Sequence, residues 1–413
     1  MIDPRVVQIV GDGSSGRWLT WRWADGVRPG GVHRVESPDS LAAELRAALP
    51  RASAALEDLA LDGPLTSQAG ELELMKRLAD GLLPPILRQQ LLRCHEDGER
   101  LQVRVMPSPQ MAAVPWGLLP IDGPNLRLLD VADVSWIGPM LPRDVRPDGE
   151  RRAWDDVRDL RPLHVLDPET GKLDPVTGKT TRRGLGAVLN GPPPLCRCHG
   201  DAAPAVAGHS FTRGELSERL RGGVSRVLLV GHCVASEASP GDTAFVMSDV
   251  AKPDDDGHGP RIKGYRALAA ADLLRGTVDG SGARQSGGER WPMPPRVGLV
   301  ACASGADLTD REPLGLATAM LMNGADTVQA TLWTLPTDYA LAQRGAAGAF
   351  AELVRAVDHS QSADDPVAEL CAWQRGCLDA WRADPSLANS PLLWGSAMTI
   401  TAPIRSMTGQ PVR

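Results

Sequence analysis

The stretches VSRVLLVGHC (224–233) and PRVGLVACAS (295–304) are continuous apolar runs of strand length, and they carry His232 and Cys302 at their ends. Unbroken apolar runs, rather than alternating ones, suit strands buried on both faces. Helical patterns surround them. TRGELSERLRGG (212–223) precedes the first, with Thr212 and Glu215 at the spacing of a capping box. YRALAAADLLRG (265–276) lies between the two, and EPLGLATAMLMNG (312–324) follows the second and stops on Gly324. ADTVQATLW (325–333) reads as a third strand, long helices run from Asp338 to about 384, and LLWGSAMTIT (392–401) is the last strand. The alternation predicts an α/β fold: a mostly parallel sheet with helices on both faces. In such sheets functional groups sit just beyond the carboxyl ends of the strands, which is where His232 and Cys302 fall.

Those two residue types form a chemical pair. A thiol becomes a strong nucleophile once its proton passes to an imidazole or its ionisation is favoured by nearby positive charge. Neighbouring parallel strands lie ~4.8 Å apart, so side chains at adjacent strand ends face one another across a narrow cleft. The turn in ACASG (301–305), with Gly305 permitting a tight bend, supplies backbone N–H groups for a developing oxyanion. Against this stands the ordinary role of a free cysteine as a small buried apolar residue.

Composition narrows the remaining classes. The chain has 413 residues, 42% hydrophobic and 23% charged, a globular profile with room for two modest domains or one large α/β unit. A formal charge of −7, without a basic stripe, argues against nucleic acid as the main partner. The opening MIDPRVVQIVGDG lacks the pattern of a secretory signal, and no apolar run reaches membrane-span length, so a cytoplasmic, membrane-free protein is expected. Seven scattered cysteines fit free thiols in a reducing compartment.

The segment RVVQIVGDGSSGRWLTWRWADG (5–26) contains a literal G-x-G-x-x-G at Gly11, Gly13 and Gly16. A phosphate site needs a helix after those glycines, but Leu19, Trp21 and Trp23 alternate at strand period, which predicts a β-hairpin with a glycine-rich turn. Helical spacing follows over 37–63 and 66–99, interrupted by Pro84 and Pro85. RLQVRVMP (100–107), VSWIGPM (134–140) and PLHVLD (162–167) read as strands. LDPETGKLDPVTGKTTRRG (166–184) reads as a mobile surface loop, and the 276–296 insert as flexible by composition, a regulatory or self-cleavage loop or a tolerated insertion. LCRCHG (195–200) gathers Cys196, Cys198 and His199 but lacks the fuller ligand set that zinc uses, so no metal is expected. Cys371 and Cys377, in a segment of helical period, read as core or surface thiols.

Several blocks together are similar to the CHAT family, caspase-like cysteine peptidases of clan CD. They are VMPSPQMAAVPWGLLPIDG (105–123), VSRVLLVGHCVASEASPGDTAFVMSD (224–249), the run from Pro295 to Asp338, and NSPLLWGSAMTIT (389–401), and the resemblance covers roughly residues 70 to 403. ACASG also resembles the caspase signature A-C-x-G. The resemblance implies a caspase-like sheet with Cys302 as nucleophile, His232 as general acid/base, and the N–H groups of Cys233 and Cys302 as oxyanion hole. Cys233 departs from caspases and many of their relatives, which carry Gly after the His. It further implies that VQATLWTLPTD (328–338) faces an extended substrate, so Gln329, Thr331, Trp333 and Asp338 are expected to bind it, with Asp338 or Asp307 a candidate acidic pocket.

The expected organisation is an N-terminal hairpin and helical region (1–65), a degenerate first half of the CHAT unit (66–195) and a catalytic half (196–413). The expected function is an endopeptidase of bacterial defence or regulated cell death, needing no cofactor, acting on a protein substrate and controlled by a regulatory protein partner. A catalytically silent interaction scaffold on the same fold is the alternative.

Overall fold

A computed structural model describes residues 4–13, 15–50, 60–123, 125–138, 152–171, 173, 176–178, 185, 210–234, 240–252, 257–278, 282–301 and 315–403. Among the described residues ten strands form the central sheet: β1 (Arg5–Gly11), β2 (Trp18–Trp23), β3 (Gly31–Arg34), β4 (Leu101–Met106), β5 (Ala132–Ile137), β6 (Leu163–Leu166), β7 (Arg226–Gly231), β8 (Arg296–Ala301), β9 (Thr327–Thr331) and β10 (Ala397–Thr401). Their spatial order is β3-β2-β1-β4-β5-β10-β9-β8-β7-β6. β1, β4, β5 and β10 are mutually parallel, as are β6, β7, β8 and β9, and the two sets meet antiparallel where β10 pairs with β9. The fold is thus mixed α/β around a large, mostly parallel sheet.

The expected boundary between 195 and 196 lies outside the described residues. Two features of the sheet cross the expected division. β6, from the segment before 195, pairs with β7, and β10, the last strand in the chain, returns to lie beside β5. One apolar core extends from Val7 to Ala402.

The reason β7 and β8 read as unbroken apolar runs is visible in their surroundings, for all six residues of each are buried. Helix Ala349–Ser362 lies against both strands. A Cβ on Gly298 would stand only 2.6 Å from Gln361 Nε2 and 2.8 Å from Leu228 Cδ1, so this glycine lets the helix approach closely. An ionic group fastens the same helix. Asp358 Oδ1 lies 2.8 Å from His164 Nε2 on β6 and accepts from Arg226 Nε on β7 at 3.1 Å, while Oδ2 accepts from Arg226 at 3.2 Å. Burial pushes the Asp358 carboxyl up, but the hydrogen bond and charge of His164 and the charge of Arg226 outweigh it and hold it at about 2.

The N-terminal glycine motif is a hairpin turn, as its period predicts. β1 and β2 pair antiparallel up to Gly11 opposite Leu19, and Leu19, Trp21 and Trp23 are buried on one face. Trp21 and Trp23 both donate their indole N–H to Gln90 Oε1, at 3.1 and 3.0 Å, which ties the hairpin to helix Pro85–Glu96. Gly16 supplies the left-handed turn residue, with φ +63°.

The 276–296 insert is a correction to its compositional reading. Thr277–Val278 pairs with Arg284–Gln285, helix Gly287–Arg290 follows, and Trp291 is fully buried with its indole N–H donating to Arg213 O at 3.1 Å. Gly276 and Gly287 press against the backbone of Gln285 and Leu273, so the glycines serve close packing here. Residues 279–281 lie outside the described set. No helix among the described residues is long and apolar enough to cross a membrane.

Candidate active site

The strands that lead to the candidate pair are in register. β7 and β8 run parallel with Gly231 opposite Ala301, and the residue after each is His232 and Cys302. Cys302 itself lies outside the described residues, as do Asp307, Cys196, Cys198 and His199. The last described residue before Cys302 is held firmly: Ala301 is buried, and its carbonyl accepts the Thr331 hydroxyl from the end of β9.

His232 is half-buried, and its carbonyl accepts the Val246 N–H at 2.9 Å. That bond anchors it to a second, four-stranded sheet of Cys233–Val234, Ala244–Val250, Tyr265–Ala269 and Arg261–Ile262. Gly231 permits the approach, since a Cβ there would stand 3.1 Å from Phe245 Cζ and 3.4 Å from Pro168 Cδ. Cys233 is buried opposite Phe245. The Val246 to His232 bond makes Cys233 and Phe245 a non-hydrogen-bonded pair, so the Cys233 N–H is directed away from strand Ala244–Val250.

Sequence reasoning missed Asp167. It follows Leu166, the last residue of β6, and its N–H donates to Val230 O at 2.7 Å, which places it level with Gly231 on the neighbouring strand. Its buried carboxylate accepts from the Val176 N–H at 3.1 Å on Oδ1, and on Oδ2 from the Thr177 N–H at 2.8 Å and the Thr177 hydroxyl. Burial raises its pKa above the ordinary value, opposed by the Thr177 and Val176 hydrogen bonds and by the charge of His232, which is near enough to act on it. The mobile-loop reading of 166–184 is therefore corrected where it is described: Thr170, Val176 and Thr177 are buried. The available signal was an Asp-Pro step ending an apolar strand beside the His-bearing one.

The four residues expected to face substrate have different surroundings. Gln329 is a correction: it is fully buried, donates to Pro366 O at 3.2 Å and accepts the Ser360 hydroxyl at 3.0 Å, so its side chain ties the sheet to the underlying helices. Trp333 is also core, with its indole N–H donating to Leu392 O at 2.9 Å. Thr331 is buried beneath the strand end that leads to Cys302. Asp338 begins helix Asp338–Gln343; its N–H donates to Val176 O at 3.1 Å, and its Oδ2 accepts the Gly178 N–H at 3.1 Å.

Three of the described thiols are chemically quiet. Burial pushes Cys371 and Cys377 up to about 12, and burial with a hydrogen bond to Glu99 pushes Cys94 up to about 11. Among the described residues no group of three or more His, Cys, Asp or Glu could hold a metal ion.

No family model matches this chain, and no curated protein matches it. Among solved structures it is similar to the Saccharomyces cerevisiae separase–securin complex in two determinations. The first has 10% identity and a TM-score of 0.48, covering 98% of this chain and 30% of that one. The second has 10% identity and a TM-score of 0.44, covering 96% and 30%. This chain therefore spans less than a third of the length of those separase chains.

Proposed function

We propose that the chain is a caspase-like cysteine endopeptidase of the CHAT type, with Cys302 as nucleophile and His232 as general acid/base. The observation that carries the reading is the register of two adjacent parallel strands, Gly231 opposite Ala301, the residues that immediately precede His232 and Cys302 in the sequence. With ~4.8 Å between strands, side chains at that edge are within reach of one another.

The chemistry follows from the pair. The Cys302 thiol proton passes to the His232 imidazole, and the thiolate sulfur bonds to the carbonyl carbon of a peptide. The N–H groups of Cys233 and Cys302 receive the oxyanion. The C–N bond breaks as the imidazolium returns its proton to the departing amine. Water then gives a proton to His232 and its oxygen attacks the thioester, releasing the acid and restoring the thiol. No cofactor enters this sequence. The protein substrate, a regulatory protein partner, and a cytoplasmic role in bacterial defence or regulated cell death belong to the same reading and rest on the resemblance of the sequence blocks.

The test is a peptide-library cleavage profile of the wild type, Cys302→Ala and His232→Ala, with and without candidate activating proteins. Cutting by the wild type that both substitutions abolish is expected. Cutting that survives Cys302→Ala, or no cutting under any condition, overturns the peptidase reading and leaves the interaction scaffold.

A further inference from the structure

Strands β1 to β4 have one covered face and one open to solvent. On the covered face Trp21 and Trp23 donate to Gln90 of helix Pro85–Glu96, and His33 Nε2 lies 3.0 Å from Gly81 O of helix Gln68–Leu82. Side chains that alternate with these point the other way. On that second face Trp18 is 48% and Val32 65% exposed, Arg22 is exposed, and Val6, Gln8, Val10, Arg104 and Met106 are half-buried.

Strand register arranges the open face in rows. Arg104, Gln8 and Arg22 lie side by side across β4, β1 and β2, and the next row is Met106, Val10 and Thr20. Neighbouring strands are ~4.8 Å apart, so the backbones of Arg22 and Arg104 stand ~10 Å from each other with β1 between them. Val6 and Val10 thus form an apolar track flanked by two guanidinium groups. Among the described residues neither arginine has a carboxylate in ion-pairing distance. Arg104 donates to Gln102 Oε1 at 3.0 and 2.8 Å, and burial lowers its pKa against the opposing charge of Asp365. Carboxylates at the border are already engaged. Asp133, which pairs with Gln102 in the sheet, is held by Arg100 and Arg375, and Asp12 accepts the N–H groups of Ser15 and Trp18. Arg34, at the far edge, has the exposed Glu36 at 3.9 Å.

A chain of formal charge −7 therefore presents an open face whose uncompensated charges are positive. Two cations with an apolar track between them match the width of one helix, whose diameter with side chains is ~10–12 Å. A helix is also the element that ordinarily covers a sheet face of this kind. Acidic side chains on its two flanks would meet Arg22 and Arg104, and its apolar stripe would meet Val6 and Val10. Nucleic acid is the competing polyanion, but the track is aliphatic and Trp18 is the one aromatic ring beside it for a base to stack on. We infer that the open face of β1, β2 and β4 docks an acidic amphipathic helix of a protein partner. This surface is separate from the candidate active site, since β8 stands four places beyond β4 in the sheet, and the inference does not rest on the peptidase reading.

Fluorescence anisotropy on the full chain tests it. The probes are labelled peptides of about five helical turns that carry Leu on one stripe and Glu on both flanks at varied spacing, the same peptides with Lys for Glu, and labelled oligo(dT). Saturable binding of Glu peptides, and none of Lys peptides, is expected. Binding should be about tenfold or more weaker in Arg22→Glu and unchanged in Arg93→Glu, which makes the same charge change on an exposed position of the helix over the covered face. Raising NaCl from about 0.05 to 0.5 M should weaken it several-fold. Should Arg22→Glu disturb the fold, as judged by circular dichroism, Arg22→Ala gives the answer with a loss of about threefold or more. No saturable binding by any Glu peptide, full binding in the Arg22 variant, or an equal loss in Arg93→Glu overturns the inference. Oligo(dT) binding that the Arg22 substitution removes, without peptide binding, assigns the face to nucleic acid and overturns it as well.

Discussion

Gly231 and Ala301 stand opposite each other as the last paired residues of two parallel strands, each buried and each followed by a side chain capable of proton or acyl chemistry. Three of the other thiols are poor competitors for reaction. With Cys94 held at about 11 and Cys371 and Cys377 at about 12, no more than roughly one in 10⁴ of those thiols is ionised at pH 7. A limiting amount of iodoacetamide at pH 7 is therefore expected to label Cys302 first, as read by peptide mass spectrometry, with a loss of about 10² or more in rate in His232→Ala. Equal labelling of all seven cysteines would remove the basis for a dyad.

Gln329→Ala separates core from substrate contact. The side chain bridges Ser360 and Pro366 from a fully buried position, so its loss is expected to cost about 2–3 kcal/mol in urea unfolding while leaving KM for any cleaved peptide unchanged. A raised KM with native stability would restore Gln329 to the substrate face.

Asp358 predicts an acid limb of stability. Its folded-state pKa of about 2 lies below the ordinary carboxyl value of 3.8, so the stabilisation is present above the higher value and disappears as pH falls through the lower one. Asp358→Asn leaves Arg226 buried without its counter-charge and is expected to lose about 3–5 kcal/mol at pH 7. The stability difference between wild type and variant should shrink between pH 4 and 2, measured by urea denaturation. A difference constant over that window would show that the ionic group does not carry the effect.

Trp291 tests whether the insert is part of the core. The side chain is fully buried, and Trp291→Ala is expected to cost about 3–5 kcal/mol, seen as a lowered Tm. A change near zero would return 276–296 to the status of a tolerated insertion.

The apolar runs were sufficient to identify β7 and β8, because strands buried on both faces are largely apolar, whereas β9 and β10, which carry Thr and Gln, were read from their place in the alternation. The hairpin was legible for the complementary reason, since Leu19, Trp21 and Trp23 keep a strict period of two. Composition misled where glycine and polar residues suggested mobility. Trp291 and Thr177 are buried because partners distant in sequence, Arg213 in one case and Asp167 in the other, satisfy their polar groups.

What the sequence by itself determined is the set of strands and the chemistry at two of their ends, since both depend on local hydrophobic pattern. Only the tertiary structure decided which strands are neighbours, that Gly231 lies level with Ala301, that Gln329 points into the core, and that Asp167 bonds to β7 level with Gly231. Those facts depend on register and crossover. Pairing between strands sixty or more residues apart is chosen by the burial of the whole sheet and leaves no mark in either strand's own residues.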